Sequence, residues 1–112
     1  MDKEEIKIGI LFLLSNPNDN WPDEQVAESA YTFIEIAEFF KLNDIGDYTL
    51  PDSPFWKELR NILEEMEDDG LIEERHFGNN LMGRVDYSLE NPGMNLIRKQ
   101  DEAKLKKKWR LS

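Results

Sequence analysis

Apolar residues recur along the chain first at helical spacing and later at strand spacing. Ile6, Ile10, Leu13 and Leu14 repeat with the helical period and follow Asp2 and Glu5, whose three-residue separation is a capping-box variant. A first helix is expected over about residues 3 to 15. The run Ile6, Ile8, Ile10, Phe12 also fits strand alternation, and Gly9 weakens a helix by roughly 1 kcal/mol. The polar stretch Ser15 to Asn20, with Pro17 inside it, is a loop. Asn20 then caps a second helix, with Trp21, Pro22 and Asp23 in its first turn, that is expected to run to about Lys41. On it Val26, Ala30, Phe33, Ala37 and Phe40 share one face, and Glu24, Glu28, Glu35 and Glu38 form a solvated stripe opposite.

Leu42 to Asp52 is rich in turn residues, interrupted by Tyr48-Thr49-Leu50 as a short strand or a packed loop. Ser53 and Pro54 open a third helix whose apolar side is Phe55, Trp56, Leu59, Ile62, Leu63 and Met66, and Gly70 stops it. Its outer side carries Lys57, Asn61, Glu64 and Asp68. Leu71–Phe77 and Met82–Leu89 alternate like strands across Gly78-Asn79-Asn80, a hairpin tip, with Val85, Tyr87 and Leu89 turned inward. After a turn at Asn91-Pro92-Gly93, Met94 to Trp109 has helical composition, anchored by Met94, Ile97, Leu105 and Trp109. Phe33, Phe40, Leu59, Ile62, Leu63, Leu71, Val85 and Tyr87 are expected to share one core.

The stretch Phe55 to Glu74, an amphipathic helix running through Asp68-Asp69-Gly70 into Leu71-Ile72, resembles the winged helix-turn-helix superfamily, as in PadR-like, MarR-like and ArsR-like regulators. Arg84 to Leu89 followed by Asn91-Pro92-Gly93 is similar to that group's second wing strand and turn. The resemblance implies an α+β, mainly α fold: three helices, a β-hairpin wing and a C-terminal helix. Residues 1–97 would form the winged-helix domain and 98–112 a basic C-terminal helix or tail. It also implies a homodimeric, DNA-binding transcriptional regulator whose third helix enters the major groove while the wing touches phosphate or the minor groove. Ser53, Lys57, Arg60 and Asn61 are then the candidates on the helix, and Arg75, His76 and Arg84 those on the wing. The chemistry suits them, because Arg and Lys bond guanine, Asn bonds adenine and cations displace counterions from phosphate. Leu105 and Trp109, one turn apart, are expected to meet a second subunit or to fold back on the first helix. Two features depart from the pattern: the second helix is long, and the link to the third is about ten residues where a turn of 3–4 is usual.

Charge complicates a nucleic-acid partner. The 112 residues carry 14 basic and 24 acidic groups, a formal −10, and such a field repels polyanions. From Arg98 onward stand 7 basic and 2 acidic residues, which leaves residues 1–97 with 7 basic, 22 acidic and a net −15. Even the third helix, Ser53 to Asp69, has 2 basic against 6 acidic residues. The alternative is an acidic winged-helix protein-interaction domain that has lost DNA binding and meets a basic protein partner or mimics nucleic acid.

Composition supplies the remaining bounds. At 39% hydrophobic, with 3 Trp, the chain has the material for one core. With no Cys it has no disulfide and no thiolate site, which fits a reducing compartment. The first residues lack the basic region of a secretory signal and Ile8–Leu14 is far shorter than a membrane span, so cytoplasm is expected and a membrane is not. His76 is the single imidazole and no glycine-rich phosphate loop occurs, so neither enzyme, cofactor nor metal is expected.

Overall fold

The computed structural model describes residues 2–18, 30–46, 53–77 and 84–111, apart from the side chains of residues 76, 77 and 84. The Glu5 backbone N–H donates to Asp2 Oδ1 at 2.9 Å, and this cap opens α1, Lys3–Leu14. Helix prevails over strand here, and the ambiguity has a cause. Ile10, Leu11, Phe12, Leu13 and Leu14 are all buried, so the second half of α1 is enclosed nearly all round and its apolar positions satisfy either period.

The second helix is shorter than expected. It begins at Phe33, not near Asn20, because Thr32 and Glu35 form a capping box: the Glu35 N–H donates to Thr32 Oγ1 at 3.2 Å, and the Thr32 N–H to Glu35 Oε1 at 3.0 Å. Tyr31–Thr32 is a strand, β1, and α2 is Phe33–Leu42. Ala30 stays buried without being helical, which is why the apolar period ran on through the junction. Glu35 is spent on the cap and on Asn18, which reaches it at 3.0 Å, so the acidic stripe is not simply solvated. Asn20, Trp21, Pro22, Asp23, Val26, Glu24 and Glu28 lie outside the described residues, as does Tyr48-Thr49-Leu50.

Ser53 caps α3, Pro54–Asp68, which buries Leu59, Ile62, Leu63 and Met66. Gly70, at φ +74, lets the chain reverse so that the Leu71 N–H donates to Met66 O and the Gly70 N–H to Glu67 O, each at 2.9 Å. β2, Ile72–Phe77, and β3, Arg84–Leu89, pair antiparallel from Ile72↔Leu89 to Phe77↔Arg84. Gly78-Asn79-Asn80, the expected tip, lies outside the described residues. β1 adds to the far side of β3 through Tyr31↔Tyr87, giving the sheet order β1-β3-β2.

The C-terminal segment forms two helices where one was expected. Asn91-Pro92-Gly93 is not a turn but the start of α4, Asn91–Arg98, since Pro is compatible with a first helical turn. Asp101 stops the helix from continuing: its Oδ1 accepts the Ala103 and Lys104 N–H groups at 3.0 and 3.3 Å and starts α5, Glu102–Lys108. The core joins α1, α2, α3, Ile72, Tyr87 and Ile97 with Leu105 and Trp109. Of the residues expected to share it, Phe40, Leu59, Ile62, Leu63 and Tyr87 are buried within it, Phe33 and Leu71 pack against it half-buried, and Val85 is half-buried.

Candidate nucleic-acid interface

Burying Leu59, Ile62, Leu63 and Met66 turns Lys57, Arg60, Asn61 and Glu64 outward. Lys57 and Asn61, one turn apart, line a groove of about 430 Å³ together with Pro54, Glu58, Glu65 and Lys3 of α1. The Ser53 hydroxyl oxygen accepts the Trp56 N–H at 3.3 Å and is thereby engaged in starting the helix. Arg60 is held from behind: its guanidinium carbon stands 4.7 Å from the Phe33 ring centre, and Phe33 meets Trp56 edge-on at 5.0 Å. At the other side of this turn Gly46, at φ +74, lies so close to Phe55 that a Cβ there would stand 2.3 Å from the ring.

Local electrostatics soften the acidity of α3. Glu65 is bridged by Lys3 and by Lys7, whose Nζ donates at 3.0 Å. Hydrogen bonds from Lys3 and then Lys7 hold the Glu65 carboxyl below its usual range, and the Glu65 bond raises Lys7 despite its partial burial. Farther along the helix, burial first and then the nearby Glu74 raise the Glu67 carboxyl. Glu64, Asp68 and Asp69 remain exposed toward the C-terminal end. Lys3 and Lys7 did not stand out in the sequence, because their partner lies 58 residues away from Lys7.

The wing candidates stand on β2 and β3. Arg75 is exposed, bonded to Glu73 at 2.5 Å and opposite buried Asp86 in register. Glu73 is lowered by its bond with Glu90 and then by Arg75, while Glu90 is raised by sharing that bond. The backbones of His76 and Arg84 pair with Val85 and Phe77, and their side chains lie outside the described residues. Leu105 and Trp109 fold back: the Trp109 ring lies 5.5 Å from Phe39 and 5.7 Å from Phe40, on α2, and against Gly9 of α1. The Asn43 side chain fastens the same segment, donating to Arg110 O at 2.9 Å and accepting the Arg110 N–H at 2.7 Å.

No protein-family model and no curated protein matches the sequence. A PadR family transcription regulator from hypervirulent Clostridium difficile, known from its crystal structure, is similar at a TM-score of 0.53 and 24% identity, over 83% of this chain and 79% of that one. At this identity what is shared is the fold. The fold is a winged helix. The element order α1-β1-α2-α3-β2-β3, with β1 seated beside β3, accounts for the first of the two departures seen in the sequence, the long second helix. Tyr31–Thr32 forms a short strand ahead of the second helix, in a stretch whose apolar period alone suggests helix. The long link between α2 and α3 remains, running from Asn43 to Ser53 with residues 47–52 outside the described set. Among the described residues no helix is long and apolar enough to cross a membrane.

Proposed function

We propose that this winged helix is a DNA-binding transcriptional regulator of the cytoplasm, acting as a homodimer, with the first turns of α3 in the major groove. The observation that carries the reading is the exposed trio Lys57, Arg60 and Asn61 on the half of α3 nearest its N-terminus, where Lys3 and Lys7 offset Glu65. Lys57 and Asn61 have the reach and chemistry for base edges, and Arg60, braced on Phe33, for a guanine or a phosphate. The N-terminal end of α3 beside Ser53 suits a phosphate, and Arg75, His76 and Arg84 would follow the backbone from the wing. Leu105 and Trp109 are engaged internally, so a subunit contact would draw on other apolar residues, such as exposed Leu42 and Leu111, which line one cleft.

A second reading is favoured by the net −15 of residues 1–97: a protein-interaction domain whose acidic surface meets a basic protein. Titration of the full chain with mixed-sequence duplex DNA at low and moderate salt separates the two. Salt-sensitive binding that Lys57→Ala with Arg60→Ala weakens, while the melting temperature holds, supports the first. Absence of binding at low salt removes it.

A further inference from the structure

The cations of this chain are sorted by the fold. On the body, Lys3 and Lys7 are bridged to Glu65 and Arg75 to Glu73. In the C-terminal pair of helices Lys106 meets Glu102 at 3.1 Å and Lys108 meets Glu5 at 3.1 Å. Arg98, Lys99, Lys104 and Lys107 are exposed and make no ion pair among the described residues. On a body of net −15, mobile lysines would collapse onto carboxylates. These are prevented from doing so by packing: Leu105 and Trp109 bury the inner side of α5, Asp101 caps it, and Lys104 and Lys107, three residues apart, stand together on its outer side.

The position of this face relative to α3 can be traced through α1. Lys108 reaches Glu5 in the first turn of α1 while Leu105 lines a cleft with Phe12 and Ser15 at the other end, so α5 runs antiparallel along α1. The opposite flank of that first turn holds α3, through Lys3 and Lys7 on Glu65, and Lys3 shares a groove with Lys57 and Asn61. Along the way from the start of α3, past the N-terminal end of α1, to the outer side of α5, cations alternate with carboxylates: Lys3 and Lys7 are paired with Glu65, and Asp2, Glu4 and Glu5 stand beside them. Glu58 faces the same groove, and Glu4 stands exposed beside the path, so the attraction is strongest at its α5 end.

We propose that the outer side of α5, carrying Lys104 and Lys107, is a second, sequence-independent contact for the phosphates of a nucleic-acid backbone already engaged by α3. This rests on the DNA-binding reading. Exposed cations on a preformed helix need no backbone ordering on binding, and each phosphate neutralised adds about 0.9 to the steepness of log affinity against log salt.

The test measures binding of a fluorescent mixed-sequence duplex by the full chain between 50 and 200 mM salt, for the parent and for Lys104→Ala with Lys107→Ala. Both residues are exposed, so an unchanged melting curve shows that the variant keeps its fold. The expected result is a salt dependence shallower by about 2, with a loss of affinity at 50 mM of roughly tenfold or more. Parent binding with a slope that the double variant does not change overturns the second contact and leaves the DNA-binding reading standing. No parent binding at 50 mM overturns both. If sedimentation shows salt-sensitive self-association that the double variant abolishes while the DNA slope is unchanged, the face belongs to the acidic body of a second copy, and the phosphate contact is refuted.

Discussion

Gly9 and Trp109 occupy one another's space: a Cβ built on Gly9 would stand 2.8 Å from the indole of Trp109, and 3.1 Å from Phe40. A glycine in mid-helix ordinarily costs roughly 1 kcal/mol relative to alanine, so its presence here is a packing requirement that overrides propensity. Gly9→Ala is expected to destabilise the fold by about 1 to 3 kcal/mol in urea titrations, the usual cost of overpacking. Combining it with Trp109→Leu should recover part of that loss. A Gly9→Ala variant more stable than the parent would show that α5 does not dock on α1 in solution.

The Trp109 Nε1–H is buried without an acceptor among the described residues, so this side chain contributes through its ring contacts and buried area and not through a hydrogen bond. Trp109→Ala is expected to cost about 3 to 5 kcal/mol. Trp109→Phe should cost well under half of that, because it removes an unsatisfied donor along with some volume. Equal losses for the two variants, by chemical denaturation, would mean that the indole N–H has a partner after all.

Thr32 distinguishes the short second helix from a long one. As the cap of α2, Thr32→Ala should lower stability by about 1 kcal/mol, whereas inside a continuous helix the same change would raise it through propensity. A rise in the melting temperature of Thr32→Ala would restore the longer helix.

Elements whose punctuation is local could be read from the sequence. Ser53-Pro54, the apolar side of α3, and Gly70 followed at once by Leu71 each contain their own start, face or stop. Where two signals overlapped, the stronger pattern concealed the other. The Thr32–Glu35 box lay within an apolar period that Ala30, Phe33, Ala37 and Phe40 sustained across it. Asn91-Pro92-Gly93 reads equally as a turn or a first helical turn, and what decides is Gly93 tight against the Leu71 carbonyl. Lys3, Lys7 and Glu65, or Phe33 beneath Arg60, meet across distant elements and leave no local mark.

Carboxylates of α3 give opposite pH signatures. Glu65 is held low by Lys3 and Lys7, so its contribution is present above the ordinary carboxylate range and is lost as pH falls through its lowered value. Glu67 is raised by burial and Glu74, so its contribution is present below that range and is lost as pH rises through its raised value. In urea midpoints from pH 3 to 7, Glu65→Gln should be destabilising near neutrality and nearly neutral at pH 3. Glu67→Gln should do the reverse near neutrality, raising the midpoint. Parallel profiles for both variants would contradict the ion-pair arrangement around α1.

Leu71 serves two parts of the molecule at once, through its N–H and its carbonyl. Its N–H donates to Met66 O at the stop of α3, while its carbonyl accepts the Glu90 N–H at 3.0 Å and lies where a Cβ on Gly93 would stand 2.1 Å away. The stop of α3 and the start of α4 are thus set by one residue. This makes it a fulcrum: a shift of α4 and α5, imposed by whatever they touch, is transmitted to the end of α3 without passing through a flexible loop.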